Sequence, residues 1–179
     1  STNMLTAAAV AMSNRLPMLF LPGDTYANRM PDPVLQQVEH FNNPNITQND
    51  AFKYVTRYFD RITRPEQILQ TLPHAIQTMI DPADCGPACI SLSQDVQGET
   101  FDYPEEFFKE KIHTIRRPRP DDYQIKQAAD LIKKSKNPII ISGGGIFYSD
   151  AMKELSQFAK KHNIPTAQTV MGYSTMKKD

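Results

Sequence analysis

The sequence predicts an α/β protein with parallel sheets. Three observations carry that expectation. Pro17-Met-Leu-Phe-Leu-Pro-Gly23 and Gly86-Pro-Ala-Cys-Ile-Ser-Leu92 are apolar runs of strand length. They are too continuous for strands with one face in water, so they suit strands covered on both faces. Asn137-Pro-Ile-Ile-Ile-Ser-Gly-Gly-Gly145 is a third such run, closed by glycines before a helical pattern. A further apolar stretch follows that helix, and strand, helix and strand in that order make a βαβ unit with a parallel pair.

The elements follow in order along the chain. Residues 2–14 are Ala-rich and helical, and Arg15-Leu-Pro17 ends the pattern. Residues 17–22 are a strand, with a turn at Pro22-Gly23-Asp24. Residues 34–41 predict a short helix after Pro31-Asp-Pro33, and the chain around Asn42 to Ile46 is loop. Asn49 or Asp50 is a candidate cap for a helical turn over Ala51–Val55. Residues 57–62 predict a short strand. Thr63 is the expected cap of the next helix, with Pro65 in its first turn and Glu66 closing a capping box. Ile68, Leu69, Leu72, Ile76, Met79 and Ile80 form its apolar stripe. Pro73 lies inside that stripe, which predicts a kink or a split. Residues 82–86 are a turn before strand 87–92.

Residues 94–122 form a seam, punctuated by Pro104, Pro118 and Pro120 and by Arg116, Arg117 and Arg119. Beyond it, Asp121 or Asp122 starts a helix ending near Lys136. Ile125, Ala128, Ala129 and Ile132 lie on one face of it, and Lys133, Lys134 and Lys136 suit the negative end of its dipole. Strand 138–142 and the glycines come next. A helix over about 149–162 should bury Met152, Leu155, Phe158 and Ala159, before strand 164–170. Both halves look incomplete, so the chain is expected to be an internal piece of a larger enzyme.

Composition narrows the function. The 20 basic and 20 acidic residues balance, so there is no basic field to attract nucleic acid or an anionic membrane. No apolar run approaches the roughly 20 residues of a membrane span, and the start is neither a signal nor a transit peptide. Cys85 and Cys89 are the two cysteines. Their spacing fits no zinc template, and reduced thiols in a cytoplasmic protein are expected.

The motifs are individually modest. Gly143-Gly-Gly145 between strand and helix resembles a dinucleotide turn, where glycines let a phosphate approach a helix start. Tyr148 occupies the last glycine position of that pattern, and no acidic residue ends the next strand. A tight turn without a ligand is therefore the expectation, and a nucleotide-binding module the rival. Thr2-Asn3 at a helix start and Pro22-Gly23-Asp24 at a strand end put polar groups at the carboxyl edge of a sheet. His40, His74, His113 and His162 share no metal spacing, and no Gly-x-Ser-x-Gly is present.

The ordered set of motifs resembles the thiamine diphosphate enzymes related to acetohydroxyacid synthase. In that family a Gly-Pro-Gly-x-Thr-Asn start opens a helix, a strand of the form VPLLVITGQ follows, a loop ends in FQE, and the pyrimidine-binding domain closes with GPVLIDIPKDVQ. This chain has Ser1-Thr-Asn3, Leu16–Asp24, Leu35-Gln36-Gln37 and Gly86–Gln97 in the same order. The family's central domain carries RPVIxxGxG and IPVxxT; here these are Asn137–Gly145 and Ile164–Thr169.

The resemblance implies three-layer parallel-sheet domains. Residues 1–112 would be the later part of a pyrimidine-binding domain with its linker, and 113–179 the first part of a Rossmann-like central domain. It implies thiamine diphosphate and magnesium as cofactors of the parent enzyme, with Asn3 and Gln36 beside the cofactor. The proton-relay glutamate would precede residue 1 and the metal and diphosphate motif would follow residue 179. No catalytic or metal-binding residue is then expected in this chain. Dimers or tetramers are implied, because members bind cofactor between subunits. Asp24 and Gln37 depart from the family's glutamine and acidic residue, which implies a different, polyhydroxylated substrate. The wording around Arg29–Val38 and Ser93–Glu99 is similar to the branch that hydrolyses a carbon–carbon bond of a cyclic dione during inositol breakdown. A decarboxylase or acyl transferase like acetohydroxyacid synthase is the alternative within the family.

Overall fold

The computed structural model describes residues 1–28, 30, 38, 40 and 42–176. The predicted helix over 34–41 lies mostly outside the described residues. The chain divides into two compact units, Ser1–Ile115 and Arg116–Asp179.

The first unit is built on strand β4 (Ala88–Ser93). On one side it pairs in parallel with β1 (Leu19–Phe20) and β2 (Gly23–Asp24), and on the other with β3 (Tyr58–Ile62). The predicted strand over 17–22 is thus two short ladders along one run. Pro22 lacks the N–H that would join them, although its carbonyl still accepts from Leu92 N–H at 2.9 Å.

Alternation along β4 separates two faces. Ala88 and Ile90 point into a core with Ile62, Ala75 and Val96, covered by α2 (Ile68–Ile80). Cys89 points into the other, with Ala8, Phe20 and Phe52, under α1 (Met4–Asn14) and a 3-10 helix over Gln48–Tyr54. Helix on each face of a parallel sheet is the three-layer α/β arrangement that the apolar runs predict.

Local capping differs from expectation in three places. Thr47, not Asn49 or Asp50, caps the 3-10 helix: its Oγ1 accepts from Asn49 N–H at 3.2 Å, and Asp50 Oδ2 accepts from Thr47 N–H at 2.6 Å. Before α2 the reciprocal side chain is Gln67, not Glu66. Gln67 Oε1 accepts from the N–H groups of Thr63 and Arg64 at 2.6 and 3.0 Å, while Glu66 is drawn aside to Arg64. Pro73 neither ends nor divides α2, which runs through it. Thr71 and Ala75 on either side of it are buried, so packing on the sheet holds both halves. At the end of α1, Arg15 turns left-handed (φ 55°) and its guanidinium donates to the carbonyls of Pro82 and Ala83, both at 2.7 Å.

The second unit contains α3 (Asp122–Lys134), capped by Asp121. It continues with β5 (Ile140–Ser142), the four-residue helix α4 (Gly145–Tyr148), α5 (Met152–His162) and β6 (Thr166–Gln168). β5 and β6 pair in parallel. Of the four α5 residues expected inside, Ala159 is buried and Leu155 half-buried, whereas Met152 and Phe158 are exposed. The apolar stripe of α3 is also open to solvent. Ile125, Ala128, Ala129 and Ile132 line a groove of about 840 Å³ with Phe158 and Ile164.

Candidate functional site

Sequence alternation produces a second contrast on the Cys89 face. Its amino half is apolar, but Ser91 and Ser93 continue the same face toward the carboxyl edge, where open α/β sheets bind ligands. Charged groups meet over them. Asp24, 1% exposed, pairs with Arg61 at 2.7 Å between Oδ2 and Nε. Ser91 lies in register with Arg61 and donates to Asp24 Oδ2 at 2.5 Å. Arg61 also donates to Thr47 Oγ1 at 2.9 Å and pairs with Asp50 at 3.1 Å. Asn49, fully buried, donates to Gly23 O and Ser91 Oγ, both at 2.8 Å. The Oδ1 of Asn49 and the Oγ of Ser93 are buried polar atoms without a hydrogen-bond partner.

The electrostatics follow from this wiring. Burial alone would raise the Asp24 carboxyl, but hydrogen bonds from Ser91, Arg61, Thr47 and the Thr25 N–H outweigh it, so its pKa is lowered. Burial works against the Arg61 charge, and Asp24 and Asp50 more than restore it. Asp95, just past β4, is lowered too: its burial is outweighed by backbone N–H groups led by Ala27 and Asn28. Burial pushes the Cys89 thiol up to about 12, helped by Asp24 and opposed by Arg61.

Asp24 is therefore a buried anchor for Arg61, and its departure from the family's glutamine is matched by a cation on the far strand. That corrects its reading as a mark of substrate choice. Of the two cofactor candidates, Asn3 is exposed at the amino end of α1 and its side chain makes no capping bond. It is not a member of the Asp24 network. Gln36, with Gln37 beside it, lies outside the described residues. Arg61, Asn49 and Ser91 were not foreseen. The available signal was Arg61 itself: a charge inside a strand of a buried parallel sheet needs a partner.

In the second unit the Gly143–Gly145 turn does not need its glycines for backbone reasons. No described glycine has positive φ, and a Cβ on Gly145 would meet nothing within 4 Å. Gly144 starts α4 in ordinary helical conformation (φ −58°, ψ −23°). Among the described residues no group of three His, Cys, Asp or Glu could hold a metal ion. No helix among them is long and apolar enough to cross a membrane.

Residues 125–179 match the thiamine pyrophosphate enzyme central domain. The whole chain is 51% identical over 179 residues to a 3D-(3,5/4)-trihydroxycyclohexane-1,2-dione hydrolase of Listeria monocytogenes serovar 1/2a, which covers 100% of this chain and 28% of the relative. The chain belongs to the thiamine pyrophosphate (thiamine diphosphate) enzymes. Proteins of the same name from Clostridium tetani and Halalkalibacterium halodurans are 50% and 51% identical, each over 176 residues, covering 98% of this chain and 27% and 28% of theirs. The chain thus spans little more than a quarter of the length of the curated relatives it matches.

Proposed function

We propose that this chain is a stretch of a thiamine diphosphate-dependent hydrolase that opens a cyclic trihydroxy dione by cleaving a carbon–carbon bond in myo-inositol breakdown. The observation that carries the reading is identity of 50–51% across essentially the whole chain to relatives that share one name. In this reading the first unit holds the later part of the pyrimidine-binding domain, and the second the first part of the central domain. The parent enzyme is cytoplasmic and works as a dimer or tetramer.

When bound, thiamine diphosphate supplies a carbanion that adds to a carbonyl and an electron sink for the bond that breaks. The residues present suit the ring end of that cofactor. Asn3 offers an amide donor and acceptor, which is the chemistry an aminopyrimidine edge asks for, and Gln36 offers the same pair. They do not suit its diphosphate and magnesium, since the described residues form no carboxylate cluster. That end belongs to other parts of the parent. The Asp24–Arg61–Ser91 network keeps the carboxyl edge of the sheet rigid, and a rigid supporting shell keeps binding side chains in place.

The test is hydrolysis by the full-length enzyme of 3D-(3,5/4)-trihydroxycyclohexane-1,2-dione, with and without thiamine diphosphate and magnesium. Cofactor-dependent ring opening is expected. Release of carbon dioxide from pyruvate, with no action on the dione, would replace this reading with that of an enzyme like acetohydroxyacid synthase.

A further inference from the structure

The chain leaving β2 has its backbone N–H groups taken by side chains. Thr25 N–H donates to Asp24 Oδ1 at 2.8 Å, and Met30 N–H to Asn28 Oδ1 at 2.9 Å. Between them, Asp95 receives two successive amides, one on each carboxylate oxygen: Ala27 N–H at 2.8 Å and Asn28 N–H at 3.0 Å. Asp95 is itself well placed to act as an anchor. It follows β4 directly and opens the 3-10 turn Val96–Gly98, whose Val96 is buried in the core beneath α2. The central strand thus reaches across and holds the first residues of a loop that has no strand of its own.

We propose that Asp95 is a positioning residue for the reaction. Its carboxylate fixes where the chain departs from the carboxyl edge of the sheet toward Gln36. The inference rests on the function proposed above, in which Gln36 serves the cofactor site. Two acceptors are required. An asparagine would offer one, and would turn its NH2 donor against the second amide. A glutamate keeps both acceptors on a longer arm.

The experiment compares the full-length wild type with Asp95→Asn and Asp95→Glu in dione hydrolysis, alongside amide hydrogen exchange over residues 25–28. Asp95→Asn should raise KM for the dione at least tenfold and speed exchange at Ala27 and Asn28. Asp95→Glu should recover KM to within about threefold of wild type. Kinetics of Asp95→Asn within twofold of an active wild type overturn the role, as does a loss of activity that only follows the thermal midpoint and that glutamate does not recover. A wild type that does not cleave the dione overturns the underlying function instead, and the role with it. Should Asp95→Asn not fold, Asn28→Pro removes one of the two donated N–H groups from the loop side. Its KM should rise by the same order, and an unchanged KM overturns the role.

Discussion

Asp24 and Arg61 belong to strands on opposite sides of β4, and their side chains meet over it at 2.7 Å with Ser91 between them. The pair is a strap across the central strand. Asp24 is almost fully buried while the Arg61 side chain keeps 22% of its surface, so the anion depends more on the cation than the reverse. Removing Arg61 would leave a buried carboxylate uncompensated, which costs about 3–5 kcal/mol.

Arg61→Ala should therefore destabilise the protein by about 3 kcal/mol, near the lower end of that range, because the arginine is partly solvated. Asp24→Asn keeps the volume and should cost less. An Asp24→Leu, Arg61→Met double variant should recover much of the loss, since a buried pair adds little over a packed apolar one. Denaturant unfolding of the four proteins reads this. A double variant no better than Arg61→Ala would show that the strap is needed for specific packing.

Acid should loosen the same edge. The carboxyls of Asp24, Asp50 and Asp95 are all lowered from a model value of 3.8. A lowered group contributes stability that is fully present above its unfolded value and is lost as pH falls through its folded value. The loss should thus start near pH 4 and deepen below it. Asp24 contributes most, because Asp50 and Asp95 are more open to water. Arg61 is raised, and its contribution persists until strongly alkaline pH. Chemical unfolding from pH 7 down to about 2 should show this fall, and Asp24→Asn should flatten it by as much as one proton, about 1.4 kcal/mol per pH unit at most. An unchanged acid slope would place the linkage elsewhere.

The two cysteines should be silent in the native state. Cys89 is fully buried with its thiol near 12, and Cys85 donates to the carbonyls of Arg15 and Met79 at 3.3 and 3.2 Å. Reaction needs thiolate and access, and Cys89 has about one part in ten thousand of thiolate at pH 8. Iodoacetamide at that pH should leave the folded protein unmodified by intact mass and add two labels after unfolding. Rapid native labelling of Cys85 would mean that the turn before β4 opens.

How far this was legible depended on the range of the interaction. Phe20, Cys89 and Ile90 sit in continuous apolar runs, and burial on both faces of a parallel sheet can be read from a few neighbouring residues. The strap could not be read in that way. Asp24 and Arg61 are far apart in sequence, and only the register of β2 and β3 on β4 brings them together. The cap of α2 failed for a smaller reason. Glu66 and Gln67 both suit a capping box, and their order is decided by Arg64, which draws Glu66 away. For α3 the stripe at Ile125 and Ile132 correctly marked a helix, but periodicity tells which face is apolar and not whether that face is covered in its own unit. Gln36 was placed by resemblance alone, since a glutamine in a loop has no local signature.

Glycines in the second unit separate need from habit. A Cβ on Gly172 would lie 2.2 Å from Ser142 O and 2.7 Å from its carbonyl carbon. These are backbone atoms and cannot swing aside. That carbonyl also accepts from Thr169 N–H and Oγ1 at 2.9 and 3.2 Å, and Ser142 Oγ bonds Thr175 at 2.8 Å. Shifting it would disturb the whole end of β5. Gly172→Ala should thus cost about 1–3 kcal/mol as overpacking. Gly145→Ala should do the opposite and stabilise by up to about 1 kcal/mol, because it begins α4 with open space around its Cβ. Chemical unfolding of both variants distinguishes them. A titration with ADP adds the decisive contrast for the glycine turn: if Gly145→Ala abolished measurable nucleotide binding, that glycine would be serving a ligand, whereas unchanged behaviour leaves it as a tight connection between β5 and α4.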